Sequence, residues 1–408
     1  MFEWDKFSDQ PYPIRDKKAK KEIYKKTIFD SFKILFINIL LFPLILIRFI
    51  MALFEKKEVK TDNFFGMGIT IGTDKKLVDE LGVKELLIRL PLSDIENLQK
   101  YKTFIEQFED YNILVNIMQD RRHVEDKTLL KQSITDIFQT LNVCEYQIGN
   151  AINRKKWAFF TMDEYMSFYK TVQDIRDEKF KEIKLIGSSV IDFEYHFSLR
   201  TLFNFYKIHY DTFSTLLYVD RRGSPENSQM GLDLVKKIKL LYAMVSLSPK
   251  SSNKIIITET NWPISNTAPY APTSEKECVS LEDYALYMVQ YYLLSLSTGM
   301  IEKVYWHQLI APGYGLVDNR EGLEKYPAFE AYKTMFDLLK DAKLLSFGFS
   351  DEIKQMKFEK IDEIIEIIWS KNGAFEKQGL DKLLNIYGKK YSDENFMYII
   401  NENIKDKK

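Results

Sequence analysis

The chain has 408 residues, of which 45% are hydrophobic and 14% aromatic, so a disordered chain is excluded. This length predicts one large globular domain with smaller attachments. The formal net charge of -1 gives no case for nucleic acid as a partner. Two cysteines and four histidines, none at metal-ligand spacing, predict no disulfide framework, no metal site and no cofactor.

The chain begins with a basic segment and a hydrophobic one. Residues 1–33 are polar and lysine-rich, and residues 34–54 are almost entirely apolar. The second stretch is close to the roughly 20 residues that cross a bilayer as a helix. Asn38, Pro43 and Arg48 interrupt it. The stretch therefore predicts a transmembrane helix, with a helix lying on the membrane and a buried core helix as alternatives.

The distribution of lysines around this segment bears on its orientation. Basic residues are denser before it than after it, which favours a cytoplasmic N-terminus. Lys56, Lys57 and Lys60 weaken that asymmetry. A spanning helix would then anchor the protein in a bacterial inner membrane, with the large domain on the extracytoplasmic side.

Residues 62–343 alternate between strand-like and helix-like segments. Eight β-rich runs are predicted as strands: Phe64–Gly72, Glu85–Leu92, Asn112–Asp120, Val143–Asn150, Lys184–Phe193, Thr215–Asp220, Lys254–Glu259 and Lys303–Leu309. Amphipathic stretches between them, and a last one at Pro327–Lys343, are predicted as helices. Eight such units predict an α/β fold, the (β/α)8 TIM barrel.

The tail, 344–408, has a different pattern and predicts a small β-rich appendage. Its predicted strands are Ile353–Phe358, Ile361–Trp369, Leu384–Tyr387 and Phe396–Ile400.

The stretch Lys254–Pro263 has the clearest chemical signal. A buried strand of isoleucines ends at Glu259, and Trp262 follows. In a barrel of parallel strands, the carboxyl ends of the strands form the floor of the active site. A carboxylate there, beside an indole, suits a pocket that holds a sugar. The structural alternative is a glutamate that caps the next helix.

A second stretch, Tyr146–Arg154, follows the predicted fourth strand and contains Gly-Asn-Ala. Together with Thr258–Pro263 on the seventh strand, it resembles clan A glycoside hydrolases, the TIM-barrel retaining glycosidases. That clan carries Asn-Glu at the end of strand four and a nucleophilic Glu at the end of strand seven. The resemblance covers about residues 64–343.

The resemblance assigns roles to individual residues. Glu259 would be the nucleophile, and Asn150 would bind the sugar beside the reacting carbon. Arg89 on strand two resembles the arginine that supports the nucleophile, and Tyr218 on strand six the tyrosine that some members place against it. Trp306 on strand eight resembles the clan's sugar-stacking tryptophan.

One position departs from the clan's pattern. Ala151 stands where the clan has its acid/base Glu, and alanine cannot transfer a proton. An engineered change, a replacement acid, a natural pseudo-enzyme and a completing partner subunit are the four explanations. The stretches Ile191–His196 and Tyr218–Asn227, after strands five and six, carry candidate replacement acids such as Glu194 and Glu226; loop salt bridges and helix capping are the structural alternative for their carboxylates. Arg221 and Arg222 are candidates for holding an anionic sugar or phosphate.

The sequence therefore predicts a membrane-attached retaining glycosidase that acts on a cell-envelope glycan or glycolipid. An acidic lipopolysaccharide sugar such as Kdo would suit the membrane segment and the arginine pair. The alternative is a catalytically inactive glycan-binding or scaffold subunit. A TIM-barrel enzyme of other chemistry is a third class, against which the lack of metal and phosphate-loop motifs argues.

Overall fold

The computed structural model describes residues 4–220, 223–349, 353–370, 382–390 and 395–402. Arg221 and Arg222, the predicted anion-binding pair, lie outside these ranges. The described residues form a closed barrel of eight parallel strands with surrounding helices, a long N-terminal apolar helix and a C-terminal antiparallel sheet. The predicted fold class is confirmed.

The segment before the barrel is a short hairpin followed by a long helix. Two two-residue strands, β1 (Trp4–Asp5) and β2 (Gln10–Pro11), pair antiparallel. Helix α1 spans Lys17–Phe54 without a break, and the side chain of Asp16 caps its first turn by accepting a hydrogen bond from the backbone of Lys18.

The barrel strands follow in chain order and pair parallel with their neighbours, β10 closing onto β3. The strands are β3 (Phe65–Ile69), β4 (Glu85–Pro91), β5 (Asn112–Met118), β6 (Glu145–Ile148), β7 (Lys184–Ile191), β8 (Thr212–Leu216), β9 (Ile255–Ile257) and β10 (Lys303–Trp306). The helices around them are α2 (Lys75–Leu81), α3 (Leu98–Ile105), α4 (Arg121–Glu125), α5 (Lys127–Thr140), α6 (Met162–Lys179), α7 (Tyr195–Leu202), α8 (Leu234–Ser246), α9 (Leu281–Ser297) and α10 (Pro327–Leu339). Short 3-10 helices cover Leu92–Asn97, Glu106–Phe108, Lys155–Trp157 and Glu275–Glu277, and β11 (Val317–Asp318) pairs with β12 (Glu324–Lys325).

Alternate side chains of the strands fill the barrel interior, as the period of two along a strand requires. One interior cluster consists of Leu87, Leu114, Ile186, Ile256 and Tyr305. Gly66 lies directly beside the Tyr305 ring, where a Cβ atom would come within 2.6 Å of a ring carbon. The ring therefore takes the space that any other residue at this position would need.

The sixth barrel strand is the one whose predicted bounds differ most. The prediction was Thr215–Asp220, and β8 covers Thr212–Leu216. Its early residues are polar, so they do not show as an apolar run, but they are paired in the barrel wall. The hydroxyls of Ser214 and Ser189 are 2.8 Å apart. Tyr218 consequently lies in the segment after the strand.

Helix α1 lies along the flank of the barrel, against α7 and α8. It is long and apolar enough to cross a membrane by length and composition. However, polar contacts join it to the barrel along its length. Asp30 accepts a hydrogen bond from the backbone of Met162 at 2.7 Å, Asn38 donates to the carbonyl of His196 at 3.1 Å, and Arg48 donates to Ser246 at 3.0 Å.

The residues on both sides of α1 contact the same barrel. Before the helix, Gln10 accepts a hydrogen bond from Lys156 at 2.6 Å. At its other end, Lys239 donates to the carbonyl of Leu53 at 2.7 Å. A helix crossing a bilayer would place these two ends on opposite sides of the membrane. Because both ends contact the same barrel, the packing argues against the predicted spanning helix.

The tail forms a five-stranded antiparallel sheet in the order β13-β14-β15-β17-β16. Its strands are β13 (Lys343–Phe349), β14 (Ile353–Lys360), β15 (Glu363–Ser370), β16 (Lys382–Leu384) and β17 (Phe396–Glu402). The first strand was not predicted, because the helical period was extended to Lys343 although α10 ends at Leu339. The segment predicted as the third tail strand, Leu384–Tyr387, overlaps β16 by one residue only.

Candidate active site

Glu259 lies two residues after β9, at the carboxyl end of the barrel, and is 7% exposed. Three predicted site residues converge on its carboxylate. Arg89, on β4, forms a salt bridge with Oε2 through Nη2. The Tyr218 hydroxyl donates a hydrogen bond to Oε1 at 2.5 Å, and Nδ2 of Asn150 lies 3.5 Å from Oε2. Four barrel strands thus bring together one buried carboxylate and the side chains that donate hydrogen bonds to it.

These donors determine the ionisation of Glu259. Burial by itself would raise the pKa, but the charge of Arg89 opposes it, with smaller contributions from His307 and from the hydrogen bonds of Tyr218 and Arg89. Together they lower the pKa of Glu259 to about 2. His307 is itself neutral, since burial and the nearby Arg89 lower its pKa to about 3. Glu259 is therefore a carboxylate at any ordinary pH.

Asn150 is held rigidly by two residues that the sequence did not single out. Asn116, on β5, donates to its Oδ1 at 2.9 Å. The Gln119 side chain exchanges two hydrogen bonds with its backbone, at 2.9 and 2.8 Å. These contacts turn the amide of Asn150 so that its Nδ2 faces Glu259. Asn116 lies near the end of the third barrel strand, and Gln119 comes just after it. A polar residue at that end of a strand is the signal that could have identified both.

The carboxylate opens into a cavity of about 200 Å³ at the carboxyl end of the barrel. Its described lining is polar and charged: Ser8, Asp9, Gln10, Arg89, Arg154, Lys156, Trp157, Ile191, Asp192, Tyr218, Glu259, Asn261, Pro272, His307 and Tyr314. Three cations and three carboxylates face one another there. Such a cavity suits a ligand with many hydroxyl groups and no large net charge.

The segment before α1 crosses the mouth of this cavity. Trp4 packs edge-on against Trp157 at 5.4 Å between ring centroids, and Phe7 packs against Tyr270 at 5.3 Å. Two residues after Phe7, the Asp9 side chain accepts a hydrogen bond from Arg89, with 3.0 Å between Oδ2 and Nη1. No pattern in the sequence predicts this contact.

No protein-family model matches this chain, and no curated protein matches it either. Solved structures do. A family 39 glycoside hydrolase from the gut symbiont Bacteroides cellulosilyticus WH2 superimposes with a TM-score of 0.59 at 13% identity, covering 85% of this chain and 80% of that one. The chain has a clan A glycoside hydrolase-like fold. A glucosidase from Croceicoccus marinus matches with a TM-score of 0.54 at 14% identity over 86% and 82% of the two chains, and a GH30 endoxylanase from Clostridium papyrosolvens C71 with 0.53 at 10% over 85% and 98%.

On this glycosidase-like fold, Ala151 lies just after the fourth barrel strand, as predicted, but it does not line the cavity. It is fully buried, at φ +45°, in a small cluster with Met118, Trp157, Leu216 and Tyr218. A glutamate at this position would put its carboxyl group among these side chains. Trp157 and Tyr218 of this cluster line the cavity themselves, so Ala151 lies behind the cavity wall.

The two predicted tryptophans of the glycosidase-like site lie behind the cavity. Trp262 and Trp306 are fully buried and stack on each other, with ring centroids 5.7 Å apart and an interplanar angle of 14°. Trp306 donates its indole hydrogen bond to Tyr284 at 2.7 Å. Neither ring lines the cavity. The aromatic rings that do line it include Trp157 and Tyr314.

The candidate replacement acids also lie outside the cavity lining. Glu226 accepts a hydrogen bond from the indole of Trp369 at 2.7 Å, so it binds the C-terminal sheet. Glu194 accepts one from Arg154 at 2.7 Å, at the rim. The same Arg154 forms a salt bridge with Asp192, which lies in the same predicted stretch and does line the cavity.

Proposed function

We propose that this protein is a retaining glycoside hydrolase in which Glu259 is the nucleophile. The observation that supports it best is the convergence of Arg89, Asn150 and Tyr218 on one ionised carboxylate at the carboxyl end of a clan A-like barrel. A buried carboxylate with a pKa of about 2 is fully charged and needs no base to become nucleophilic.

In the first step, the Glu259 carboxylate would attack the anomeric carbon and form a glycosyl-enzyme. Arg89 and Tyr218 fix the plane of the carboxylate, so the attacking oxygen is positioned before the substrate arrives. The side-chain N–H of Asn150 lies beside the same oxygen. A sugar hydroxyl next to the reacting carbon would accept a hydrogen bond from it there. Water then hydrolyses the ester with net retention.

The substrate class follows from the cavity. A volume of about 200 Å³ corresponds to roughly six or seven water molecules and has room for one sugar ring. We propose a glycan or glycolipid from which a single terminal sugar enters. A cell-envelope glycan, including an acidic sugar such as Kdo, remains a prediction from the sequence, because Arg221 and Arg222 lie outside the described residues.

The proposal is tested by trapping the glycosyl-enzyme. We expect a panel of 2-deoxy-2-fluoro glycosides with dinitrophenyl leaving groups to contain a member that inactivates the protein with one equivalent of label. The fluorine slows both formation and hydrolysis of the ester, and the dinitrophenyl leaving group restores the rate of formation alone, so the ester accumulates. Peptide mass spectrometry should place the sugar on the tryptic peptide 255–276, at Glu259 and not at Glu275.

A second function, glycan binding without turnover, is favoured by one observation, the buried Ala151. It predicts saturable binding of a glycan with no label on Glu259 from any member of the panel. Labelling of Glu259 would exclude it.

We propose that α1 attaches the protein to a membrane while lying in its plane. Its outer face exposes large apolar side chains over many turns, including Phe32, Phe36, Leu40 and Ile47. On the barrel, the loop residue Phe205 is fully exposed beside this face, and both contribute to one apolar groove. A helix that packs one side on the barrel and exposes apolar side chains on the other suits insertion of the exposed side into the headgroup boundary. Since no segment crosses the membrane in this arrangement, the lysine asymmetry does not decide on which side the protein lies.

This mode of attachment is tested by the accessibility of two cysteines. In a Cys278→Ser background, native Cys144 on the barrel is exposed, and Tyr12→Cys would mark the segment before α1. In sealed vesicles, we expect a membrane-impermeant maleimide to label both positions in the same molecules, because both lie on one side. Labelling of either position but never both would show a spanning helix.

The control addresses the apolar face itself. Phe36→Glu with Leu40→Glu should reduce vesicle flotation at least about tenfold, since each exposed side chain loses more than about 1.4 kcal/mol of apolar burial in lipid. Leu323→Glu with Ile361→Glu, at exposed positions away from α1, should leave flotation unchanged.

A further inference from the structure

The glycosidase proposed above needs a second carboxyl group. The residue at the position where clan A enzymes carry it, Ala151, does not provide one. A retaining mechanism protonates the leaving oxygen with one carboxyl group while the other attacks. Ala151 has none, and Glu194 and Glu226 do not line the cavity. Among the described residues, the carboxylates that line it besides Glu259 are Asp9 and Asp192.

Asp9 and Glu259 share one guanidinium group. Arg89 contacts Glu259 through Nη2 and Asp9 through Nη1, the latter at 3.0 Å. Two carboxyl groups that bind the two terminal nitrogens of one guanidinium group can lie about the 5–5.5 Å apart that a retaining pair needs. They also face the same small cavity, so a sugar ring that reaches Glu259 has Asp9 beside it.

The segment that carries Asp9 is fixed from both sides. Trp4 and Phe7 pack against rings of the barrel loops, and the Gln10 side chain donates to the carbonyl of Pro272 at 3.4 Å and accepts from Lys156 at 2.6 Å. Asp9 itself has φ +48°, a left-handed conformation that Asp tolerates better than most residues. The hairpin therefore presents this one carboxyl group to the cavity.

We propose that Asp9 is the acid/base residue of this site, supplied by the segment before α1 in place of the fourth-strand glutamate. This inference rests on the proposed glycosidase function. It assigns the N-terminal hairpin a catalytic role, so that the segment joined to the membrane helix also completes the active site.

The proton and bond changes balance. In the first step, Glu259 forms a bond to the anomeric carbon, the bond from that carbon to the leaving oxygen breaks, and the Asp9 carboxyl proton passes to that oxygen. In the second step, a water oxygen bonds to the anomeric carbon, the ester to Glu259 breaks, and Asp9 takes the proton of the water. One water is consumed, and both carboxyl groups return to their initial states.

The electrostatics agree with this division of roles. Burial raises the pKa of Asp9, and the nearby charge of Glu259 raises it further, while Arg89 opposes both; the net shift is upward. The pKa of Glu259 is lowered to about 2. Two carboxyl groups whose pKa values are pushed apart are what an acid and a nucleophile require. Tyr101 and Tyr314 also face Asp9, and both are neutral because their pKa values are raised.

Asp192 is the matched control. It also lines the cavity, but it forms its salt bridge with Arg154, which also binds Glu194, and it shares no partner with Glu259. An Asp192→Asn change therefore removes a cavity carboxylate of the same size and leaves the Arg89 bridge intact.

The test compares leaving groups, using aryl glycosides of the sugar that labels Glu259. For Asp9→Asn, we expect kcat/KM to fall about 10²- to 10⁴-fold with a phenyl leaving group and less than about threefold with dinitrophenyl, which needs no protonation. The alkaline limb of the pH profile with the phenyl glycoside should disappear. In Asp9→Ala, azide should raise kcat and yield the glycosyl azide. Asp192→Asn should change both substrates by the same factor.

Other outcomes overturn the assignment. Equal losses with both leaving groups and no azide product would make Asp9 a structural strap across the cavity. Higher activity of Asp9→Asn on both substrates would make the hairpin an inhibitory cover. In either case, continued labelling of Glu259 would leave the proposed function standing. Lack of any turnover of dinitrophenyl glycosides by the parent would overturn the proposed function, and the Asp9 assignment with it.

Discussion

Replacing Glu259 with glutamine is expected to reduce kcat/KM at least about 10⁴-fold on every substrate, including dinitrophenyl glycosides. The amide cannot form the covalent intermediate, and loss of a covalent nucleophile costs this order or more in other hydrolases. An activated leaving group gives no rescue, because it replaces the acid and not the nucleophile. Steady-state kinetics on the phenyl and dinitrophenyl glycosides provide the measurement.

The thermal transition of Glu259→Gln should stay within a few degrees of the parent. Glutamine keeps the shape of the side chain and an oxygen acceptor, and Arg89 retains its contact with Asp9. Glu226→Gln is the control, since this partly buried glutamate binds Trp369 and does not line the cavity. Its activity should equal that of the parent. Full activity of Glu259→Gln would remove the glycosidase interpretation.

Much of the barrel could be predicted because each strand carries its own signal. Short β-rich runs such as Asn112–Met118 are mostly buried, and caps such as Asp126 and Ser280 mark the starts of helices. Where most residues of a strand are polar, as in Thr212–Leu216, no apolar run marks the strand. The predicted strand, Thr215–Asp220, is therefore displaced towards the C-terminus.

The core of the site was predictable for a related reason. Arg89, Asn150 and Glu259 each lie on or next to a strand of a barrel, and the geometry of parallel strands brings them to one face. Their contacts follow once the strand order is known. The burial of Trp262 and Trp306 was not predictable. It depends on whether each indole, at or after the end of its strand, points towards the cavity or away from it.

The N-terminal hairpin could not be placed, because Asp9 is separated from Arg89 by 80 positions and from Glu259 by far more, with no pattern that joins them. Helix α1 gave little help, since it is apolar on nearly all sides. The residues that interrupt its apolar stretch were the available clue. Asn38 and Arg48 weaken a spanning interpretation, and both bind the barrel.

Replacing Arg89 with methionine is expected to destabilise the fold by about 3–5 kcal/mol at neutral pH, because a buried carboxylate, Glu259, loses its principal counter-ion. The pKa of Glu259, about 2 in the parent, should rise. In the parent, the stability gained from ionised Glu259 is fully present above its ordinary pKa and is lost as the pH falls towards about 2. In the variant, the carboxyl group is more stable when protonated, so folding weakens as the pH rises.

The stability difference between parent and Arg89→Met should therefore be largest near neutral pH and shrink as the pH falls from the raised pKa of Glu259 in the variant towards about 2, as denaturant unfolding at several pH values would show. Arg154→Met is the control. Arg154 also binds two carboxylates, Asp192 and Glu194, but this group is about a third exposed, and its loss should cost no more than about 1 kcal/mol. Activity of Arg89→Met should fall with its acid limb moved to higher pH. A difference that does not depend on pH would mean that Arg89 acts through packing and does not set the charge of Glu259.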